Sequence, residues 1–365
     1  MSREAGQKRF RDPRLRRGFG GRNRCGGTCN RIKIILQPEP LAGRRLTAIC
    51  HRCCHLSTVL LINAPEIRFS ASHSFQIAFL CVFSFYIMTS TQARQENPSV
   101  RVIMIGAHPD DCELKGGGTA AIFSGMGYAV KFVSVTNGDA GHQSERGEKL
   151  AARRLAEACE AGKRLGITYD VLNNHDGQLQ PTLDVRFQLI REIRAWQADI
   201  VIAHRPNDYH PDHRYTAILV QDAAYMVAVP NIMPEVPALK KNPVFLYFQD
   251  FFQRPNPFRP DIAVDITDVF EQKIAAIDAH ESQMYEWLPW IGHYTDQVPQ
   301  HRNDRIKWLK ETRTITIAED VRSSLAKWYG HKKATEVKQA EVFEICEYGS
   351  QPDEREVRRL FPMLG

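Results

Sequence analysis

From residue 99 onward the chain alternates short apolar, β-rich runs with longer amphipathic segments, and this restricts the fold more than any other feature. Strands are predicted over residues 100–105, 130–135, 168–172 and 199–203, then over 244–248 and 261–264. The first run, Val-Arg-Val-Ile-Met-Ile, is almost fully apolar, as a strand covered on both faces must be. Helices are predicted over 116–126, 149–165, 183–196 and 213–226, then over 271–285 and 305–311. The 183–196 segment sets Leu183, Phe187, Ile190 and Ile193 on one stripe, and Gly166 stops the 149–165 segment. The expected architecture is α/β, a Rossmann-like three-layer sandwich with a mostly parallel sheet. Right-handed crossovers put the carboxyl ends of its strands on one edge, where the active site is expected.

The first 87 residues follow no such pattern. They hold 13 Arg and 2 Lys against 4 acidic residues, a balance of +11, while the remaining 33 basic and 38 acidic residues balance to −5. The net charge of +6 therefore belongs to the leader, and the larger part carries no basic surface for nucleic acid. Six of the nine cysteines also lie there: Cys25, Cys29, Cys50, Cys53, Cys54 and Cys81. Paired thiolates at 25/29 and 50/53 admit a zinc ribbon, but their spacing is irregular. The apolar run over 75–88 is 14 residues long, short of the ~20 that span a bilayer, so no stable membrane insertion is expected. It resembles a secretion-signal core set far from the N-terminus. Residues 1–87 are read as a disordered leader or a mis-assigned start before Met88, and 88–98 as a polar linker. Residues 99–330 are read as the catalytic domain, and 331–365 as a C-terminal extension packing on it. Beyond the leader only Cys112, Cys159 and Cys346 remain, which suggests a reducing, cytoplasmic setting without a disulfide framework.

Two clusters follow predicted strands. Ala107-His108-Pro109-Asp110-Asp111-Cys112-Glu113 follows the first, and His204-Arg-Pro-Asn-Asp-Tyr-His210-Pro-Asp212-His213 follows the fourth. Both fall at the same sheet edge, so residues 100 apart in sequence can meet. A hydrolytic zinc site takes three protein ligands and an open position for water. His108, Asp111 and His213 supply such a set. A base beside the metal but not bound to it is also required, and Asp110 suits that role. His210 lies three residues before His213 and suits stabilisation of an oxyanion or protonation of the leaving amine. Asp208 and Asp212 suit the orientation of these imidazoles.

These residues resemble the PIG-L (LmbE-like) N-acetylglucosaminyl deacetylase family, whose signatures are A-H-P-D-D-x-E and H-P-D-H. Here they read Ala-His-Pro-Asp-Asp-Cys-Glu at 107–113 and His-Pro-Asp-His at 210–213. Supporting pieces are Gly116-Gly-Gly-Thr, Thr136-Asn-Gly-Asp-Ala-Gly141, Arg154-x2-Glu157, Asp176-Gly177 and His280-x-Ser282-Gln283. The resemblance implies a zinc-dependent amide hydrolase that removes an acyl group from an N-acyl amino sugar or sugar conjugate. It implies His108, Asp111 and His213 as zinc ligands, Asp110 as general base and His210 as oxyanion stabiliser or acid. It also implies Arg154 and Asp176 as substrate contacts. Some members carry a Tyr two residues before the first His of H-P-D-H; here Asp208 stands there and Tyr209 follows one residue later. A small-molecule partner is implied, and a homo-oligomer is left open.

Two rival classes share these letters. His108-x-Asp110 with a distant His213 also spells the facial triad of non-haem Fe(II) oxygenases, which sit on antiparallel jelly rolls. A non-catalytic carbohydrate-binding protein on the same fold would not need Asp110. Gly116–Gly118 suit a structural turn more than a phosphate cradle, since P-loop and G-x-G-x-x-G spacings are missing. Tyr285, Trp287, Trp290 and Tyr294 suit packing of a C-terminal helix, or stacking on a sugar. His142 and Glu145 are candidates to reach the cleft, and Cys112 is read as a spacer.

Overall fold

The computed structural model describes residues 23–24 and 100–365, all within one compact unit. The expectations for the leader and linker, including the cysteine pairs and the run over 75–88, lie outside the described residues except at Asn23–Arg24. That pair forms β1. The remaining strands are β2 (Arg101–Gly106), β3 (Ala129–Thr136), β4 (Thr168–Asn174), β5 (Ile200–Ala203), β6 (Val244–Phe248), β7 (Ile262–Asp265) and β8 (Ala340–Gly349). The sheet order is β1-β4-β3-β2-β5-β6-β8-β7. From β4 to β6 all neighbours are parallel, while β1, β8 and β7 pair antiparallel. The chain is thus α/β with a mostly parallel sheet.

The strand period of 2 decides what each face buries. Val102 and Met104 of β2 enter one core with Ala120 and Phe123 of α1 (Asp111–Gly125) and Ala158 and Ala161 of α2 (Gly147–Leu165). Ile103 and Ile105 enter the opposite core with Leu189 and Ile193 of α3 (Leu183–Trp196) and Leu219 and Ala223 of α4 (Pro211–Met226). Helix stops are local: Gly166 ends α2 at φ 70°, where a side chain would be strained. The Thr182 side chain caps α3 by accepting from the Val185 amide.

Three sequence expectations need amendment. α1 starts at Asp111, five residues before the predicted start, and runs through Gly116–Gly118. Glycine is a poor helix former, so the run reads as an opening or a turn. Packing overrides this, because a Cβ on Gly118 would lie 2.8 Å from Ile266 Cβ and one on Gly116 would lie 2.6 Å from Met104 Sδ. The run is no phosphate cradle either: the Gly118 and Thr119 amides donate to Glu341, whose Oε1 also pairs with Lys273. Second, the predicted helix over 271–285 divides into α5 (Phe270–Asp278) and a π-helical turn, Ser282–Trp287. Third, no strand is predicted over β8. Residues 331–365, read as an extension on the domain, supply this strand between β6 and β7. Of the three cysteines after the leader, Cys112 and Cys346 are free and buried, and Cys159 is disulfide-bonded. No helix among the described residues is long and apolar enough to cross a membrane.

Candidate metal centre

β2 leads to β3 on one side, while β5 lies on its other side, so the strand order reverses between β2 and β5. In open parallel sheets the crevice at such a point receives ligands. Ile105 pairs with Ala203 in the ladder, and this sets the 107–113 and 204–213 clusters side by side.

The first cluster is shaped by Asp111. Its Oδ2 accepts from the amides of Ala107 (2.9 Å) and His108 (2.8 Å), folding the loop back on the helix start. Its Oδ1 lies 3.4 Å from His213 Nε2. His108 Nδ1 stands 3.2 Å from the same His213 nitrogen and 3.6 Å from Asp111 Oδ2. All three side chains are at least nine-tenths buried. Three acceptor-rich groups facing one point in a dry site repel unless a cation or proton lies among them. Ligand atoms about 2.0–2.2 Å from one tetrahedral ion stand roughly 3.4 Å apart, so the spacing fits a metal. Three overlapping sets have single ligand atoms within 4.8 Å of one another, His108/His210/His213, Asp111/His204/His213 and His108/Asp176/Asp212; the expected trio His108/Asp111/His213 is spread over two of them, with the two imidazoles facing different Asp111 oxygens.

The far side of His108 faces carboxylates. Its Nε2 lies 3.2 Å from Asp176 Oδ1 and 3.3 Å from Asp212 Oδ2. Such contacts fix which ring nitrogen carries the proton and turn Nδ1 inward. Asp212 Oδ2 is itself held by the Gly177 amide at 2.7 Å. Burial opposes charge on Asp176, but His108 and Arg154 outweigh it and hold its pKa at about 2. Asp208 Oδ1 lies 3.0 Å from His213 Nδ1. Asp212→Asn is expected to lower metal affinity about 10–100-fold, the usual effect of removing such a supporting carboxylate. Competition with a fluorescent chelator measures this, and unchanged affinity would remove Asp212 from the orienting role.

Asp110 adopts φ 134°, a region that non-glycine residues rarely enter. It occupies the cap position of α1, yet its carboxylate makes no capping hydrogen bond. Strain of this kind, about 1–3 kcal/mol, persists where the surroundings impose it and clusters at functional sites. Burial and the adjacent Asp111 charge push its pKa above the usual carboxylate range. His210 caps α4, its Nδ1 accepting from the Asp212 amide at 3.2 Å. The proton of the neutral ring therefore sits on Nε2. Burial and the facing His108 and His213 lower its pKa, so the ring is neutral at pH 7. The His210 ring stands edge-on to His108, with centroids 4.6 Å apart.

Arg154 and Asp176 have a different first task from the substrate contact expected. Arg154 is only 1% exposed, and its guanidinium donates to the carbonyls of Gly138 and Gly141 and to Gln283 Oε1. Asp176 accepts from the Gly141 amide at 3.0 Å. Together they build the wall behind His108. His142 and Glu145 staple the same loop, through Glu286 and through Lys149 and Arg153 respectively. Tyr209 is 73% exposed at the mouth, its ring edge-on to His210 and His213. Cys112 is buried, and burial raises its thiol pKa, which suits a spacer.

Two residues that the sequence placed in these motifs without a role belong to the site. His204 stacks on His213 with centroids 4.2 Å apart, and its Nε2 lies 3.1 Å from Asp111 Oδ2. Burial and His213 hold its pKa at about 4, and its Nε2 lies between the Ala107 amide (3.2 Å) and Asp111. Its signal was available: it directly follows β5, as His108 closely follows β2. His280 is fully buried beneath α1, with Nε2 2.8 Å from Glu113 Oε1. In the sequence it stands only in the family-like run His280-x-Ser282-Gln283, with nothing to show its buried partner.

The fold and the paired clusters define a class of α/β proteins with a His- and Asp-rich site at the switch point. The family model described as GlcNAc-PI de-N-acetylase (PIG-L) matches residues 103–224, and a domain of unknown function, DUF2610, matches 239–353. The chain is 30% identical over 220 residues to a diacetylchitobiose deacetylase of Thermococcus kodakarensis, covering 56% of this chain and 81% of that protein. It is 26% identical over 244 residues to a 4-oxalmesaconate hydratase of Pseudomonas putida, covering 64% of this chain and 92% of that protein. Among solved structures, the N,N'-diacetylchitobiose deacetylase of Pyrococcus horikoshii, in complex with an inhibitor, aligns at a TM-score of 0.51 and 26% identity. That alignment covers 76% of this chain and 95% of that one. The chain belongs to the PIG-L (LmbE-like) family.

Proposed function

We propose that this protein is a zinc-dependent N-deacetylase acting on a neutral N-acyl amino sugar or sugar conjugate. The observation that carries the reading is the approach of His108 Nδ1, the Asp111 carboxylate and His213 Nε2 to 3.2–3.6 Å of one another. These residues would hold the ion. When bound, it supplies Lewis acidity and acidifies the attacking water. Asp110 takes the proton of that water as its oxygen bonds to the acyl carbon. His210 donates its Nε2–H to the carbonyl oxygen as negative charge gathers there. Asp110 then returns the proton to the amide nitrogen as the C–N bond breaks, leaving acetate and a free amine. The family membership and the deacetylase relatives support the same reaction.

The charges around the site favour a neutral substrate. Asp110, Asp111, Asp176, Asp208 and Asp212 surround it, while the Arg154 and Arg214 guanidiniums are bonded to backbone carbonyls. The non-haem iron alternative loses support because the sheet is parallel α/β rather than a jelly roll. The test is acetate release from N-acetylated mono- and disaccharides by zinc-loaded protein, run beside hydration of an unsaturated dicarboxylate. Acetate release that chelation stops and zinc restores is expected. Hydration without acetate release from any sugar would overturn the reading.

A further inference from the structure

We infer that Lys273 and Glu341 are positioning residues for the metal centre: their buried ion pair, set against the hydrogen-bond ladder of α1, holds the first turn of that helix and with it Asp110 and Asp111. The inference rests on the metal-site reading given above. An α-helix pairs the amide of residue i with the carbonyl of residue i−4, so the Gly118 amide and the Leu114 carbonyl belong to one rung of α1. Both groups also meet side chains from distant segments. The Gly118 amide donates to Glu341 Oε1 at 2.9 Å, and the Thr119 amide donates to Oε2 at 2.7 Å. The Leu114 carbonyl accepts from Lys273 Nζ at 2.9 Å, and that ammonium lies 2.7 Å from Glu341 Oε1. An ammonium and a carboxylate therefore run alongside one rung and join its donor to its acceptor. A carboxylate on two successive amides is the ordinary arrangement of a helix N-terminus, where no ladder carbonyl competes. In α1 it stands in the middle of the helix, just after the turn that carries the site.

The glycine run makes room for this contact. A Cβ on Gly117 would already touch Lys273 Cγ at 3.5 Å, and one on Gly118 would lie 2.8 Å from Ile266 Cβ. Without side chains there, α5 and Ile266 lie close enough for the two charged groups to reach the backbone. Lys273 is 8% exposed and Glu341 3%. A buried pair of this kind adds little stability over apolar residues of the same volume. What it supplies is one fixed arrangement of the groups it joins, because any other would leave a charge unpartnered in the core.

The pair reaches the site through a single residue. The Leu114 amide donates to the Asp110 carbonyl at 3.0 Å, while the Leu114 carbonyl takes the Lys273 ammonium. Leu114 thus links Lys273 to Asp110, the residue held at φ 134°. On the other flank, Asp111 Oδ2 fixes the Ala107 and His108 amides. Backbone strain persists where the surroundings over-determine it, and here both flanks of Asp110 are tied. Glu113, in the same turn, is tied in addition by His280. Glu341 stands 223 residues from Gly118, so β8 and α5 take part in aiming a base and a ligand that lie in neither.

The test loads the full-length protein with Co(II), whose visible absorption reports the ligand geometry without turnover, and with zinc for acetate release. Lys273→Met removes the ammonium, Glu341→Asp draws the carboxylate back from the amides, and Lys273→Arg keeps the charge. Lys273→Met and Glu341→Asp should each change the Co(II) spectrum. Each should also lower kcat about 10–100-fold with KM near wild type, the cost of displacing a reacting group by roughly an ångström. Lys273→Arg should restore the spectrum and most of kcat. All variants are compared at a temperature where circular dichroism shows them folded. If Lys273→Met does not fold, Lys273→Met/Glu341→Gln, which leaves no unpaired charge, replaces it with the same expectation. Variants that lose Tm but keep the wild-type spectrum and kcat would make the pair purely structural and overturn the inference. A wild type that binds neither Co(II) nor zinc would overturn it too, since there would be no centre to position. If no sugar is deacetylated but the spectrum responds to Lys273→Met and recovers in Lys273→Arg, the positioning role stands and the deacetylase reading fails.

Discussion

His213→Ala is expected to yield folded protein without stoichiometric zinc and without measurable turnover, whereas Asp110→Asn should keep the metal and lose about 10²–10⁴ in rate. The two residues share one site but differ in what they face. His213 Nε2 lies within 3.2–3.4 Å of both His108 and Asp111, so its loss removes one of three converging donors. Asp110 is held at φ 134° and its carboxylate makes no capping hydrogen bond. Its asparagine variant is isosteric but cannot take a proton. His210→Ala should also retain zinc and lose about 10²–10³, the usual effect of deleting one oxyanion donor. Zinc content by atomic absorption, measured beside the acetate-release rate, separates these outcomes. If Asp110→Asn emptied the site as completely as His213→Ala, Asp110 would be a ligand and the proposed division of roles would fail.

His280→Leu should destabilise the protein by about 3–5 kcal/mol, because it strands the Glu113 carboxylate in the core. Both side chains are fully buried, and the remaining contact of Glu113 is the Tyr169 hydroxyl at 3.4 Å. Removing both partners together should cost less than removing His280 alone. Glu113→Leu/His280→Leu is therefore expected to be the more stable of the two variants, and a thermal denaturation cycle measures the coupling. The pH dependence has a definite sign. Burial opposes the imidazolium, but Glu113 outweighs it and raises the His280 pKa above the ordinary histidine value. The pair's stabilisation is then complete at pH below that ordinary value and is lost as pH rises through the raised one. The stability gap between wild type and the double variant should narrow at alkaline pH. A gap that widened there would show that His280 is neutral in the fold.

Sequence alone determined the elements whose cause is local. The apolar period of 2 in β2 and of 3.6 in α3 depends only on which side chains recur, so residues 183–196 and 244–248 were bounded as observed. Strand ends followed from the same pattern. With the parallel order they implied, the loops after β2 and β5 had to meet, which brings His108, Asp111 and His213 close together. Tertiary structure alone decided what depended on distant partners. α1 continues through three glycines because Ile266 and Met104 fill the space that side chains would occupy. β8 enters the sheet because β6 and β7 leave a gap that its alternating residues fill. His204 serves the site only because Asp111, 93 residues away, lies 3.1 Å from it, and His280 is anchored by Glu113, 167 residues away. Arg154 faces a loop wall rather than open solvent because Gly138, Gly141 and Gln283 converge on it. Local period reports which face a residue shows, but which group waits opposite is set by packing between segments that no local pattern links.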